Sequence, residues 1–268
     1  MLPIPVLALP AGLPLPSSDR IFTTLHVRDG VLCCVDAHLE RLGASTEQLW
    51  QQRLPESVAA ALREPSWSVA LTGRVRVTVE LTPSGLLAHL QFTRAPQKPA
   101  KLSPLPLHLV PISGRTGDWR HKWADRRQIE AARQLLNSGA SPLFVEAGHC
   151  LETDIANVFV ADSRQPTTRQ PTTRQPTTRQ PTTRQLSTPP LSANVLPGVA
   201  RARVLAVARS LGWRVVEREL PLQELGAPMF VTNSIVAVRL VAQVGERKLS
   251  KPDAALQALL DELSALSD

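Results

Sequence analysis

Residues 21–46 read "IFTTLHVRDGVLCCVDAHLERLGAST". Two β-prone runs flank Asp29-Gly30, a pair that tolerates the left-handed backbone of a tight hairpin. Asp36 then stands where a helix cap is expected, and Leu39, Leu42 and Leu49 share one helical face. A hairpin that runs straight into an amphipathic helix points to an α+β fold rather than to an all-β or all-α one.

The same mixture recurs on both sides. "GRVRVTVEL" alternates, with Val75, Val77, Val79 and Leu81 on one side, and "SGLLAHLQF" answers it after Pro83. "PLPLHLVPI" reads as a further strand, and a helix over 125–137 places Ile129, Ala132 and Leu136 on one stripe before Gly139. Strands follow at "PLFVEA", "HCLET" and "NVFVAD", then a helix burying Val204, Val207, Ala208 and Leu211 that ends at Gly212. Strands "WRVVERE", "MFVTN" and "AVRLVAQVG" lead to the closing helix "DAALQALLDELSAL". Prolines and lysines between Arg94 and Pro106 mark the best boundary. The expected division is an irregular arm (1–17), a small N-terminal domain (18–103), an interdomain linker or strand (104–118) and a larger C-terminal domain (119–268).

The chain has 268 residues and a net charge of +7. That charge is local. "RQPTTRQPTTRQPTTRQPTTRQ" contains four tandem copies of Pro-Thr-Thr-Arg-Gln, from Pro166 to Gln185, and no acid. Arg164, Arg169, Arg174, Arg179 and Arg184 lie there; without them 25 basic residues face 23 acidic ones. A nucleic-acid partner is therefore not expected. The tract has no apolar residue and a proline at every fifth position, so a disordered insertion is expected over 164–185. Excision leaves "VFVADSRQLSTPP", a strand, turn and strand, which places the insertion at a hairpin tip. No apolar run is long enough to span a membrane. The opening "MLPIPVLALPAGLPLP" lacks a basic start and is broken by prolines, so it reads as an arm on the surface and not as a signal helix. Cys33, Cys34 and Cys150 lack disulfide or zinc spacing, which fits a reducing cytoplasm, and the adjacent pair reads as buried filler on a strand.

Four places could carry chemistry. "DWRHKWADRRQIEAAR", residues 118–133, gathers Arg120, Arg126 and Arg127 around Lys122, and cationic neighbours lower a lysine's pKa. Pro197-Gly198 opens a helix, leaving the amides of Gly198, Val199 and Ala200 without intrahelical acceptors, as an anion prefers. Thr232, Asn233 and Ser234 end an apolar strand, where they make a turn or complete an anion site. Glu152 sits in an apolar context and needs a partner, either a structural arginine or a protonated ring nitrogen.

These segments resemble the class IV pyridoxal-phosphate enzymes. "FTTLHVRDGVLCCVDAHLERLGAST", "HKWADRR", "LETDIANVFV", "LPGVAR" and "FVTNS" stand in the family's order and spacing, from about Phe22 to Val244. The resemblance implies a two-domain fold-type IV enzyme, with a small N-terminal α/β sandwich and a larger, barrel-like, cofactor-binding C-terminal domain. It also implies pyridoxal 5'-phosphate as cofactor, a small-molecule substrate, a homodimer and no membrane partner. By the same resemblance Lys122 bonds covalently to the cofactor and serves as general base. Glu152 faces the pyridine nitrogen, and Arg41, the amides of Val199 and Ala200, and Ser234 hold the phosphate. Asn157 is the family's asparagine after the glutamate, a structural support. Thr24 and Arg126 are candidates for substrate or the phenolic oxygen. The chain departs from the family at its start, where "SSDR" replaces a "GDG"-like segment.

The chain has no tyrosine, whereas the branched-chain and D-amino-acid aminotransferases of the family use tyrosines around the cofactor. "KWADRR" and "FTT" are closer to the aminodeoxychorismate lyases, which release pyruvate and 4-aminobenzoate for folate synthesis. That lyase activity is the expectation; the alternative is amino transfer from branched-chain or D-amino acids to 2-oxoglutarate.

Overall fold

Asp29 and Gly30 both have positive φ, 46° and 78°, so the expected hairpin turn forms where the two residues allow it. The computed structural model describes residues 3–16, 19–64, 72–94, 106–162 and 184–265. The expected boundary after Arg94 and most of the repeat tract lie outside the described residues. A two-residue strand β1 (Leu7–Ala8) precedes β2 (Arg20–Arg28) and β3 (Val31–Leu32), the arms of the hairpin. With β4 (Gly73–Thr82) and β5 (Gly85–Arg94) they make a four-stranded antiparallel sheet in the order β3-β2-β4-β5.

One face of this sheet is a core. Val75, Val77 and Val79 are fully buried with Ile21, Leu25 and Val27. They pack against Leu39 and Leu42 of α1 (Val35–Trp50) and Val58 and Leu62 of α2 (Glu56–Arg63). Each such side chain contributes about 1.5–3 kcal/mol. Leu81, expected on the same stripe, is 36 % exposed because it stands at the open end of β4, beyond the helices. Asp36 is not the cap of α1: Cys34, in left-handed conformation, precedes the helix, and Asp36 lies in its first turn. The two cysteines follow β3 in a turn, Cys33 half-buried and Cys34 exposed, so neither is buried filler.

The rest of the chain builds a larger sheet from β6 (Leu107–Ser113), β7 (Ala140–Glu146), β8 (His149–Thr153), β9 (Asn157–Asp162), β10 (Gln185–Thr188), β11 (Arg214–Glu217), β12 (Leu220–Pro221), β13 (Met229–Asn233), β14 (Ala237–Val244) and β15 (Arg247–Lys248), with β1 added parallel to β6. Strands β9-β13-β14-β6-β7-β8 neighbour one another in that order. β8 returns to β9 through one rung, Glu152↔Asn157, and closes a ring. Leu109, Leu143, Val158 and Met229, from four different strands, meet in one buried cluster. Phe159 and Phe230 stack at 5.1 Å on another face. Over them lie α4 (Val199–Ser210) and α5 (Ala254–Ala265), through Val204, Ala208, Leu256 and Leu259. The fold is thus the expected mixed one, a small α/β layer beside a barrel-like sheet.

Gln185 pairs with Asp162 and Leu186 with Ala161, so the tract is inserted between the two arms of an antiparallel hairpin, as expected. Three details differ. The helix expected over 125–137 is shorter, α3 (Arg127–Gln134), so Leu136 lies past its end and is only partly buried. Leu211 is exposed, because α4 stops at Ser210; Leu205 is buried instead. The opening arm is more than a surface strap. Ile4 and Leu9 are buried in two core clusters on either side of β1.

Candidate active site

Between the two sheets lies a cavity of about 480 Å³. Its walls include Thr24, Arg41, Lys122, Arg126, Glu152, Val199, Ala200 and Ser234, all expected at the site from the sequence, although they come from separate elements.

Lys122 lies in the irregular segment between β6 and α3. The free edge of β2 holds this segment in place: Phe22 N donates to Lys122 O at 2.8 Å, and Ala124 N to Arg20 O at 3.1 Å. Lys122 Nζ then lies 5.1 Å from the centre of the Phe22 ring, where Arg76 also stacks, at 3.8 Å. Its pKa is brought down to about 7, first by burial and then by the charges of Arg41, Arg126 and Arg76, with Glu152 opposing. The sequence suggested Arg120, Arg126 and Arg127 for this effect. Only Arg126 takes part. Arg120 pairs with Asp118 at 2.6 Å and Arg127 with Asp125 at 2.5 Å, both at exposed positions. Arg126 reaches inward because its Nη2 donates to the Asp154 carbonyl at 2.5 Å.

Glu152 and Asn157 form the rung that closes the ring. Glu152 Oε1 accepts from Arg115 Nη1 at 2.8 Å; Oε2 accepts from Leu196 N at 3.1 Å and Asn157 Nδ2 at 3.3 Å. A carboxylate offers about four lone-pair positions, so these donors leave one for a ligand in the cavity. Arg115 was missed as a specific residue: "SGRTGDW" has no periodicity to place it. It is buried against Trp119 and Phe144, at 4.8 and 5.1 Å from their ring centres. Asn157 also donates to Leu196 O at 3.0 Å. Gly198 is required beside it, since a Cβ there would stand 2.1 Å from Asn157 Oδ1.

The other end of the cavity suits an anion. Arg41 is half-buried, its pKa lowered to about 10 by desolvation alone, and no carboxylate pairs with it among the described residues. Val199 and Ala200 open α4, so their amides have no intrahelical acceptor. The Gly198 amide, counted with them from the sequence, instead donates to Leu196 O at 2.8 Å. At the end of β13 the work is divided. Thr232 bonds the Ala237 carbonyl, and Asn233 Oδ1 accepts the amides of Ile235 and Val236 at 2.9 Å. Those two make the turn, and all three residues line the cavity, Ser234 with a hydroxyl not engaged in the turn. A half-buried cation without a counter-charge, two open amides and a hydroxyl fit a phosphate. The lysine and the glutamate fit the ring and aldehyde of pyridoxal phosphate.

The small sheet supplies the remaining wall. Arg76 pairs in register with Thr24 on one side and Gln91 on the other; Arg74 pairs with Thr93. All of these face the cavity, opposite the valines. The sequence pattern shows the valines as a core face; it does not show that the other face of the same strand meets a second sheet.

The family described as "Amino-transferase class IV" matches residues 20–244. A hypothetical aminotransferase from Mycobacterium tuberculosis in its PLP-bound form superposes with a TM-score of 0.74 at 20 % identity, over 96 % of this chain and 94 % of that one. The 4-amino-4-deoxychorismate lyase from Pseudomonas aeruginosa gives 0.74 at 18 %, over 96 % of each chain. The branched-chain amino acid aminotransferase of Escherichia coli gives 0.70 at 14 %, over 93 % of this chain and 86 % of that one. At such identities the likeness is one of fold. No curated protein matches the chain. No described helix is long and apolar enough to cross a membrane.

Proposed function

Because the chain belongs to the class IV aminotransferases, enzymes that depend on pyridoxal phosphate, we propose that it is a 4-amino-4-deoxychorismate lyase. The observation that carries this reading is the wall opposite the barrel. Apart from Phe22, the small sheet lines the cavity only with Thr24, Arg74, Arg76, Gln91 and Thr93. A branched aliphatic side chain would lie there against charged groups that gain nothing from it. A substrate with two carboxylates finds two guanidinium forks and neutral donors. The 4-amino-4-deoxychorismate lyase from Pseudomonas aeruginosa shares this fold, as do aminotransferases.

In this reading Arg41, the Val199 and Ala200 amides and Ser234 hold the cofactor phosphate, Glu152 meets the pyridine nitrogen, and Lys122 holds the cofactor covalently. When bound, pyridoxal phosphate withdraws electrons from the carbon that carries the substrate nitrogen and so acidifies its hydrogen. Glu152, bonded to Arg115 and fixed by Asn157, would hold a proton on the ring nitrogen. Lys122 Nζ, its pKa brought down to about 7 so that a large share is neutral at that pH, takes the proton from the substrate carbon, a general-base role worth about 10²–10⁴ in rate. Arg76 and Arg126 orient the carboxylates, and departure of pyruvate leaves an aromatic ring. A homodimer in the cytoplasm belongs to the same reading.

Purified protein with pyridoxal phosphate should convert aminodeoxychorismate to equal amounts of pyruvate and 4-aminobenzoate. Amino transfer from leucine or D-alanine to 2-oxoglutarate, without release of 4-aminobenzoate, would replace the lyase with a transaminase. Borohydride treatment should leave a pyridoxyl mass on the peptide containing Lys122; its absence there would refute the site itself.

A further inference from the structure

We propose that Thr23 and His38 are positioning residues that aim Arg41 at the cofactor phosphate, an inference that rests on the cofactor reading above. A guanidinium only donates hydrogen bonds. Arg41 Nη2 donates to Thr23 Oγ1 at 2.6 Å, so the hydrogen of Thr23 must point elsewhere. Its other neighbour is His38 Nδ1, at 2.7 Å. With Thr23 at 0 % exposure, its hydrogen stays satisfied only if His38 accepts at Nδ1; the imidazole then carries its hydrogen on Nε2 and is neutral, and the chain of donors runs one way from Arg41 through Thr23 to His38. Burial of Thr23 and His38, at 0 and 1 % exposure, keeps water from replacing either link.

The placement follows from the fold. Thr23 lies on the helix side of β2, between Phe22 and Thr24, which face the cavity; His38 and Arg41 are one turn apart on α1. The clamp is also neutral. A carboxylate in place of Thr23 would hold the guanidinium but cancel its charge. A hydroxyl backed by an uncharged imidazole holds it and leaves the charge for an anion in the cavity. Burial and the nearby charges of Arg41 and Lys122 press the pKa of His38 down to about 3, so the chain keeps its direction throughout the working pH range.

The test compares two ligands that differ only in the phosphate. Full-length protein, freed of cofactor, is titrated by absorbance with pyridoxal phosphate and with pyridoxal. Thr23→Val should weaken pyridoxal phosphate about 10- to 100-fold, the range for losing a hydrogen bond to a charged group, and leave pyridoxal unchanged. Thr23→Ser should restore the affinity. His38→Asn, whose side-chain oxygen can take the place of Nδ1, should retain it. Equal losses for both ligands, or wild-type affinity in Thr23→Val, would overturn the positioning role. Wild-type protein that binds neither ligand would overturn the cofactor reading, and this role with it.

Discussion

Gly198→Ala isolates a single contact behind the site. The backbone of Gly198, with φ −69° and ψ 134°, suits alanine, so the substitution carries no conformational strain. The added Cβ would stand 2.1 Å from Asn157 Oδ1, whereas an ordinary carbon–oxygen approach is about 3.3 Å. Asn157 must retreat by roughly 1 Å, which stretches both its bonds, to Glu152 Oε2 and to Leu196 O, beyond hydrogen-bond range. Losing one bond to a charged group and one to a neutral group gives a cost of about 2–4 kcal/mol. Urea unfolding of cofactor-free protein measures it, and the second arm of a double-mutant cycle assigns it. In an Asn157→Ala background the obstruction is gone, so Gly198→Ala should cost less than about 0.5 kcal/mol. An equal cost in both backgrounds would show that the contact with Asn157 does not explain the glycine.

Three further outcomes are expected. In cofactor-free protein an amine-selective acylating reagent should modify Lys122 with a midpoint near pH 7, ahead of exposed Lys248 and Lys251; a midpoint near 10.5 for Lys122 would refute the depressed pKa. Since the folded pKa of about 7 lies below the ordinary 10.5, the unfolded chain holds a proton in that window that the folded one lacks, and stability rises with pH across it. Lys122→Met should abolish turnover, remove that rise and raise the thermal midpoint near neutral pH; an unchanged pH slope would contradict this. Deleting Pro166–Gln185 leaves Arg164-Gln165 ahead of Leu186, so β10 keeps its register against β9. Unfolding free energy should then shift by no more than about 1.5 kcal/mol, with turnover intact, as measured by urea titration and product release.

The sequence shows most clearly those features that rest on local chemistry. Asp29-Gly30 is a turn because two adjacent residues permit it, and Val75, Val77 and Val79 mark a face because a strand alternates. The hairpin behind the repeats was legible because the tract breaks an otherwise continuous pattern. Helix ends were read less well. Nothing near Asp36 shows that Cys34 takes the left-handed turn, and Leu211 differs from Leu205 only in where α4 stops. The site needed more than periodicity. Lys122 among arginines looks like a surface cluster until its segment is seen pinned to β2, and the cation that depresses its pKa most is Arg41 of α1, distant in sequence. Arg115, Arg74 and Arg76 stayed hidden because the cavity they line is completed by elements distant in sequence.

The rung between Glu152 and Asn157 is where the cylinder of strands joins up, and it is also where the ligand-facing acid is anchored. Under the proposed function that acid meets the cofactor's ring nitrogen, so a single rung serves architecture and chemistry alike. A substitution that loosens Glu152 from Asn157 is expected to weaken strand closure and chromophore uptake together.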